Sequence, residues 1–126
     1  MEPRRFGSGS QWEQKYGYSR VVVDGDWVFV SGTTGTDYAT GDVVDGAEGQ
    51  VSKAFEDIRV ALEEAGAALS DVVQARYYIA RRADVDTVLT AIGAHFADIR
   101  PTATAVVAEL IDPKMRVEIE VVARTR

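Results

Sequence analysis

The chain has 126 residues, a formal net charge of −6, one histidine and no cysteine. That length suits one domain with a substantial core, and the acidic balance opposes broad attraction to nucleic-acid phosphates. Absence of cysteine excludes disulfides, thiol nucleophiles and cysteinyl metal sites, and no segment nears the roughly 18 apolar residues of a membrane span.

Met1 to Ser19 is mostly polar and lacks the apolar stretch of a secretory signal, so a cytoplasmic protein is expected. Residues 1–17 read as an N-terminal arm and 18–126 as the domain. The arm is either mobile, with Gly7-Ser8-Gly9-Ser10 resembling an expression scar, or docked through Trp12, Tyr16 and Tyr18. The same Gly-Ser run is a poor phosphate cradle, because no helix start or lysine follows it.

Ser19–Val23 and Trp27–Thr34 are rich in β-branched and aromatic residues, and Asp24-Gly25-Asp26 between them is turn chemistry, so a β-hairpin is expected. After a polar loop over Gly35–Gly46, apolar residues recur at helical spacing from Val51 to Ala65, and Gly66 stands where a left-handed helix stop is favoured. Val72–Ala80 follows as a strand, parallel to a hairpin strand through the crossover. A second helix spans about Asp84–Ala97 and cannot continue through Pro101. Thr102–Leu110 and Met115–Arg124 complete the order ββαβαββ. This is an α+β domain of about five strands with two helices on one face. Its strands do not alternate sharply: Trp27 and Phe29 lie on one side against Val28 and Val30 on the other, and Ala103, Ala105 and Val107 oppose Val106 and Ala108. The second face is therefore also apolar, which points to burial against further copies of the chain.

Candidate chemistry is sparse. His95 is the single histidine, which disfavours a zinc site and leaves a structural or solvated role as the simpler reading. Ser31-Gly32 closes an apolar strand without the G-x-G-x-x-G spacing of a dinucleotide fingerprint; it is either a strand-end bend or a place where a ligand touches backbone. Glu118 and Glu120 alternate with Val117, Ile119 and Val121, so both carboxylates share one strand face. If another subunit covers that face, at least one acid needs a donor or a raised pKa, with Arg76, Arg100 and Arg116 as candidate cations.

The runs YSRVVVDGDWVFVSGTTGTD, AFEDIRVALEEAGAALSDVVQARYYI and RPTATAVVAELIDPKMRVEIEVVA, in this order and spacing, resemble the Rid/YjgF family of reactive-intermediate deaminases, historically labelled endoribonuclease L-PSP. The resemblance covers Tyr18 to Ala123. It implies a chorismate-mutase-like homotrimer with ligand clefts between subunits, no metal or organic cofactor, and hydrolysis of imines and enamines to a ketoacid and ammonia. Residue by residue, Tyr18 matches a cleft-lining tyrosine, Ser31 and Gly32 the strand-end pair whose glycine carbonyl contacts the ligand, and Glu118 the carboxylate that positions water. The family's backbone-amide contact falls near Ala105.

One position departs from the deaminase pattern. Ala103 stands two residues past Pro101, where the deaminase branch carries an arginine that grips the substrate carboxylate. Each charge-assisted hydrogen bond of such a grip contributes about 1.5–3 kcal/mol, so its loss is on the order of a hundredfold or more in binding. Either the pocket takes a less charged ligand, or Arg100 or Arg76 reaches in. The expected function is binding or hydrolysis of a small imine, enamine or carbonyl metabolite. A non-catalytic small-molecule module is the alternative. A ribonuclease or translation inhibitor is disfavoured by the acidic balance and the lack of a histidine pair.

Overall fold

The computed structural model describes residues 2–126. Its centre is one six-stranded sheet, built from β1 (Arg4–Phe6), β2 (Val21–Asp24), β3 (Trp27–Thr34), β4 (Val72–Ile79), β5 (Thr102–Val107) and β6 (Val117–Arg124), in the spatial order β1-β2-β3-β6-β4-β5. Three α-helices of the described residues accompany it: α1 (Gln11–Tyr16), α2 (Ala47–Glu64) and α3 (Val85–Phe96). None of the described helices is long and apolar enough to cross a membrane.

The period-2 strands and period-3.6 helices meet in a single core. Val21, Val28, Val30, Val117, Ile119 and Val121 point from the sheet toward Val51, Phe55, Ile58 and Leu62 of α2, and all are buried. Val88, Ile92 and Phe96 of α3 extend the layer, with Phe96 edge-on to Phe55 at 5.1 Å. His95 belongs to this helix layer. Its ring stacks on Phe55 at 4.1 Å, and burial, with the Arg59 charge beside it, holds its pKa below the ordinary histidine value.

Two features differ from the expected order. β4 does run parallel to β3, but β6 is inserted between them, antiparallel to both. The C-terminal strand therefore forms the middle of the sheet, where its alternating burial matches a helix-covered face and an uncovered one. The stretch read as an arm supplies a strand and a helix. Arg4–Phe6 pairs antiparallel with Val21–Val23, making six strands rather than about five, and Ser10 caps α1 by accepting from the Trp12 N–H. Gly7–Ser10 is a folded turn here: the Ser8 N–H and hydroxyl both donate to the buried Glu13 carboxylate.

Gln50 ties the loops to this frame. It is buried on α2, donates from Nε2 to the carbonyls of Val44 and Lys114 at 2.9 Å each, and accepts from the Arg116 N–H at 2.7 Å. Gly35 permits the approach, since a Cβ there would lie 2.6 Å from the Gln50 Cα. Arg116 is further held by a two-point pair with Asp84, at 2.7 and 2.8 Å. Gln50→Leu would leave two carbonyls and one N–H without partners, and a loss of about 2–4 kcal/mol is expected. Urea titration checks this; an unchanged midpoint would remove Gln50 from the account.

Candidate functional site

The strand register sorts the candidate residues by face. Thr34 of β3 and Tyr78 of β4 flank Glu118, and Arg76 lies beside Glu120. These side chains occupy the face opposite α2 and α3. Helix-side positions of β6 are Val117, Ile119, Val121 and Ala123, all buried.

Between Val30 and Thr33 the pairing of β3 with β6 slips by one residue, so Ser31 and Gly32 together oppose Glu120. Strict alternation from Val28 and Val30 would turn position 32 toward the helices. The bulge instead gives that place to fully buried Thr33 and presents Gly32 to the carboxylate side. A Cβ at position 32 would overlap the Glu118 side chain. Glycine is thus required because a carboxylate lies directly against its backbone, which neither reading of Ser31-Gly32 from the sequence had supplied.

Around Glu118 and Gly32 opens a cleft of about 510 Å³. Tyr18, Tyr16, Trp12 and Tyr38 give it aromatic walls, and Ile111 and Met115 close the far side. A smaller hollow of about 350 Å³ shares Gly32 and Glu118 and is bounded by Tyr78, Leu110 and Glu120. Glu118 therefore faces both spaces. Burial raises its pKa, the nearby Glu120 charge raises it further, and Arg20 opposes both. Glu120 itself accepts from the Tyr78 hydroxyl.

Arg20, absent from the sequence candidates, is the one cation among the described residues that lines the larger cleft. It is 5% exposed, and its Nη1 reaches Ser31 O at 3.2 Å, Gly32 O at 3.1 Å and Thr33 Oγ1 at 2.8 Å. Its guanidinium lies over the Tyr38 ring at 4.7 Å, and its Nε sits 3.8 Å from the Glu13 carboxylate without a hydrogen bond. A charged residue two positions after Tyr18, at the mouth of an apolar strand, was the available signal.

The other candidates lie elsewhere. Ser31 stands beside the cleft, with its hydroxyl donating to Ser19 O at 2.7 Å. Arg116 is not a partner for the strand acids, because its guanidinium is engaged by Asp84. Arg100, with φ +56°, lines a separate hollow on the helix side with Tyr77 and Phe96. Ala103 and Ala105 pair with Ala75 and Tyr77, so they too are on the helix side of the edge strand β5. Within one chain neither joins Glu118.

The raised Glu118 pKa has a definite consequence for stability. Between its unfolded and folded values the native chain binds more protons than the unfolded chain, so stability falls as pH rises through that window. Glu118→Gln removes this dependence. The variant is expected to be more stable than the parent at neutral pH, with the advantage vanishing once pH falls below the unfolded-state pKa. Denaturant titrations across pH check it; a variant less stable at neutral pH would show the carboxylate to be a structural prop.

Residues 10–125 match the family described as Endoribonuclease L-PSP. An uncharacterized protein of Streptomyces coelicolor is 36% identical over 125 residues, covering 95% of this chain and 90% of that protein. A protein of Dermatophagoides farinae named 2-iminobutanoate/2-iminopropanoate deaminase is 30% identical over 122 residues, 95% of each chain. Among solved structures, a YjgF/YER057c/UK114 family member from Mycobacterium tuberculosis superposes with a TM-score of 0.89 at 36% identity, covering 98% of this chain and 100% of the other. RidA from Psychrobacter gives 0.80 at 28% identity, covering 86% and 89%. With the six-stranded sheet and the Gly32–Glu118 seat in place, these matches show that the chain belongs to the Rid/YjgF family, also called endoribonuclease L-PSP.

Proposed function

We propose that the chain hydrolyses small imines or enamines that carry no carboxylate, in clefts completed by neighbouring copies of itself. The carrying observation is the Glu118 carboxylate, seated against Gly32 in an aromatic-walled cleft whose one cation among the described residues, Arg20, gives its Nη1 to the chain's own acceptors. Water adds to the imine carbon as Glu118 accepts its proton. That proton passes to nitrogen, the carbinolamine collapses, and carbonyl product and ammonia or an amine leave.

The relative from Dermatophagoides farinae is named for imines that bear a carboxylate. Here the position expected to hold such a carboxylate is Ala103, and neither Arg76 nor Arg100 lines the cleft. Arg20 lines it, but hydrogen bonds to the bulge occupy its Nη1. A neutral or iminium ligand against tyrosine and tryptophan faces suits this lining better than an anion.

The homotrimer expected from the resemblance gives the edge strand a role. All six residues of β5 are exposed, and Trp27 and Phe29 remain 43% and 45% exposed on the uncovered sheet face. Surface of that kind favours contact with protein over contact with water. Ala103 and Ala105 reach a Glu118 cleft only if it belongs to another copy.

Steady-state hydrolysis of an uncharged imine tests the proposal. Rates above buffer are expected for the parent, and Glu118→Gln should lower kcat by about 10²–10⁴-fold while remaining folded. Ala103→Arg should gain activity toward 2-imino acids. Saturable ligand binding with no acceleration for any imine would contradict the enzyme reading and leave a binding module.

A further inference from the structure

We propose that Arg20 is the positioning residue of this site: its guanidinium bridges the Ser31–Gly32 bulge and holds Gly32 beneath the Glu118 carboxylate. The role deepens the hydrolase reading above and rests on it for its kinetic part alone.

The geometry supplies the argument. A bulge leaves backbone acceptors unmatched by the neighbouring strand, and unpaired carbonyls near a buried carboxylate are unfavourable. Nη1 answers this by meeting Ser31 O, Gly32 O and Thr33 Oγ1 together. The arginine is in turn anchored on every side. Its N–H donates to Phe6 O at 2.9 Å, its C=O accepts from the Ser31 N–H at 3.0 Å, its ring contact is Tyr38, and Glu13 stands beside Nε. Glu13 is itself fastened by Ser8. The N-terminal strand and helix thus lead, through Ser8, Glu13 and Arg20, to the glycine under Glu118.

Charge gives the second half of the role. The groups facing Glu118 are Glu120 on its own strand, Tyr78 on β4, Tyr18 and Tyr38 on the cleft wall, and Asp112 and Glu109 on the loop before β6. Among the described residues Arg20 is the one cation acting on Glu118, Arg76 lying further along that face beside Glu120. Glu120 and burial favour the protonated acid, and Arg20 favours the carboxylate that water activation requires. Loss of this charge therefore moves the Glu118 titration upward, whereas loss of the bulge hydrogen bonds alone, with the charge kept, shows in kcat.

The test is carboxyl-carbon NMR titration of Glu118 in the parent, Arg20→Met and Arg20→Lys, with kcat and KM measured on an uncharged imine. Arg20→Met should move the Glu118 midpoint to higher pH. Arg20→Lys keeps the charge without the planar fork, so its midpoint should stay near the parent's while kcat falls about tenfold to a hundredfold at nearly unchanged KM. If Arg20→Met does not fold, Arg20→Gln retains an N–H donor for the bulge and carries the same titration. A parental midpoint in a folded neutral variant, or a parental kcat in Arg20→Lys, overturns the proposal. The titration needs no turnover, so an upward shift without hydrolysis would keep Arg20's electrostatic role and reject the hydrolase reading.

Discussion

A carboxylate lying against a glycine backbone is the contact on which the site depends. Glu118 comes from the middle of the sheet, where the strand is paired on both edges, and Gly32 from a bulge that interrupts its neighbour. Without the bulge, position 32 would face the helices. With any side chain at 32, Glu118 would be displaced. The same arrangement half-buries the acid and brings Glu120 close, both of which raise its pKa. A carboxyl group held this way stores unfavourable free energy that an ordinary surface glutamate lacks, which is a common condition of groups that move protons.

The rest of the fold keeps that contact in place. Gln50 pins the loops at Val44 and Lys114 to α2, which steadies the wall carrying Ile111 and Met115. Arg116, immediately before the central strand, is held by Asp84 through its side chain and by Gln50 through its N–H, so the residues leading into Glu118 are fixed from both sides. On the opposite wall α1 carries Trp12 and Tyr16, and its buried Glu13 stands beside Arg20. The N-terminal segment is therefore part of the site's construction.

Local periodicity made much of this legible. The hairpin, the two long helices and the shared face of Glu118 and Glu120 follow from spacing alone, because burial on one face repeats every two or about 3.6 residues. Pairing partners are not local. Nothing within Val117–Arg124 states that it inserts between β3 and β4, and Arg4-Arg5-Phe6 is too short and charged to read as a strand. Ser31-Gly32 was visible as an interruption, yet its reason lay 86 residues away in Glu118. Arg20 was hidden for the same cause, since its partners exist only once the bulge forms. Arg116 and Arg100 drew attention by charge, but a bidentate acid and a helix-side hollow account for their places.

The central claim is that the cleft combines a working carboxylate with no grip for a substrate carboxylate. The most direct measurement is kcat/KM of the unmodified chain for a matched pair of imines, identical except that one bears a carboxylate beside the imine carbon. The account expects the uncharged imine to be preferred, by on the order of tenfold or more given the hydrogen bonds an arginine would have made. Preference for the carboxylate-bearing imine would contradict it, and would mean that Arg20 or a cation from a neighbouring copy grips the substrate carboxylate.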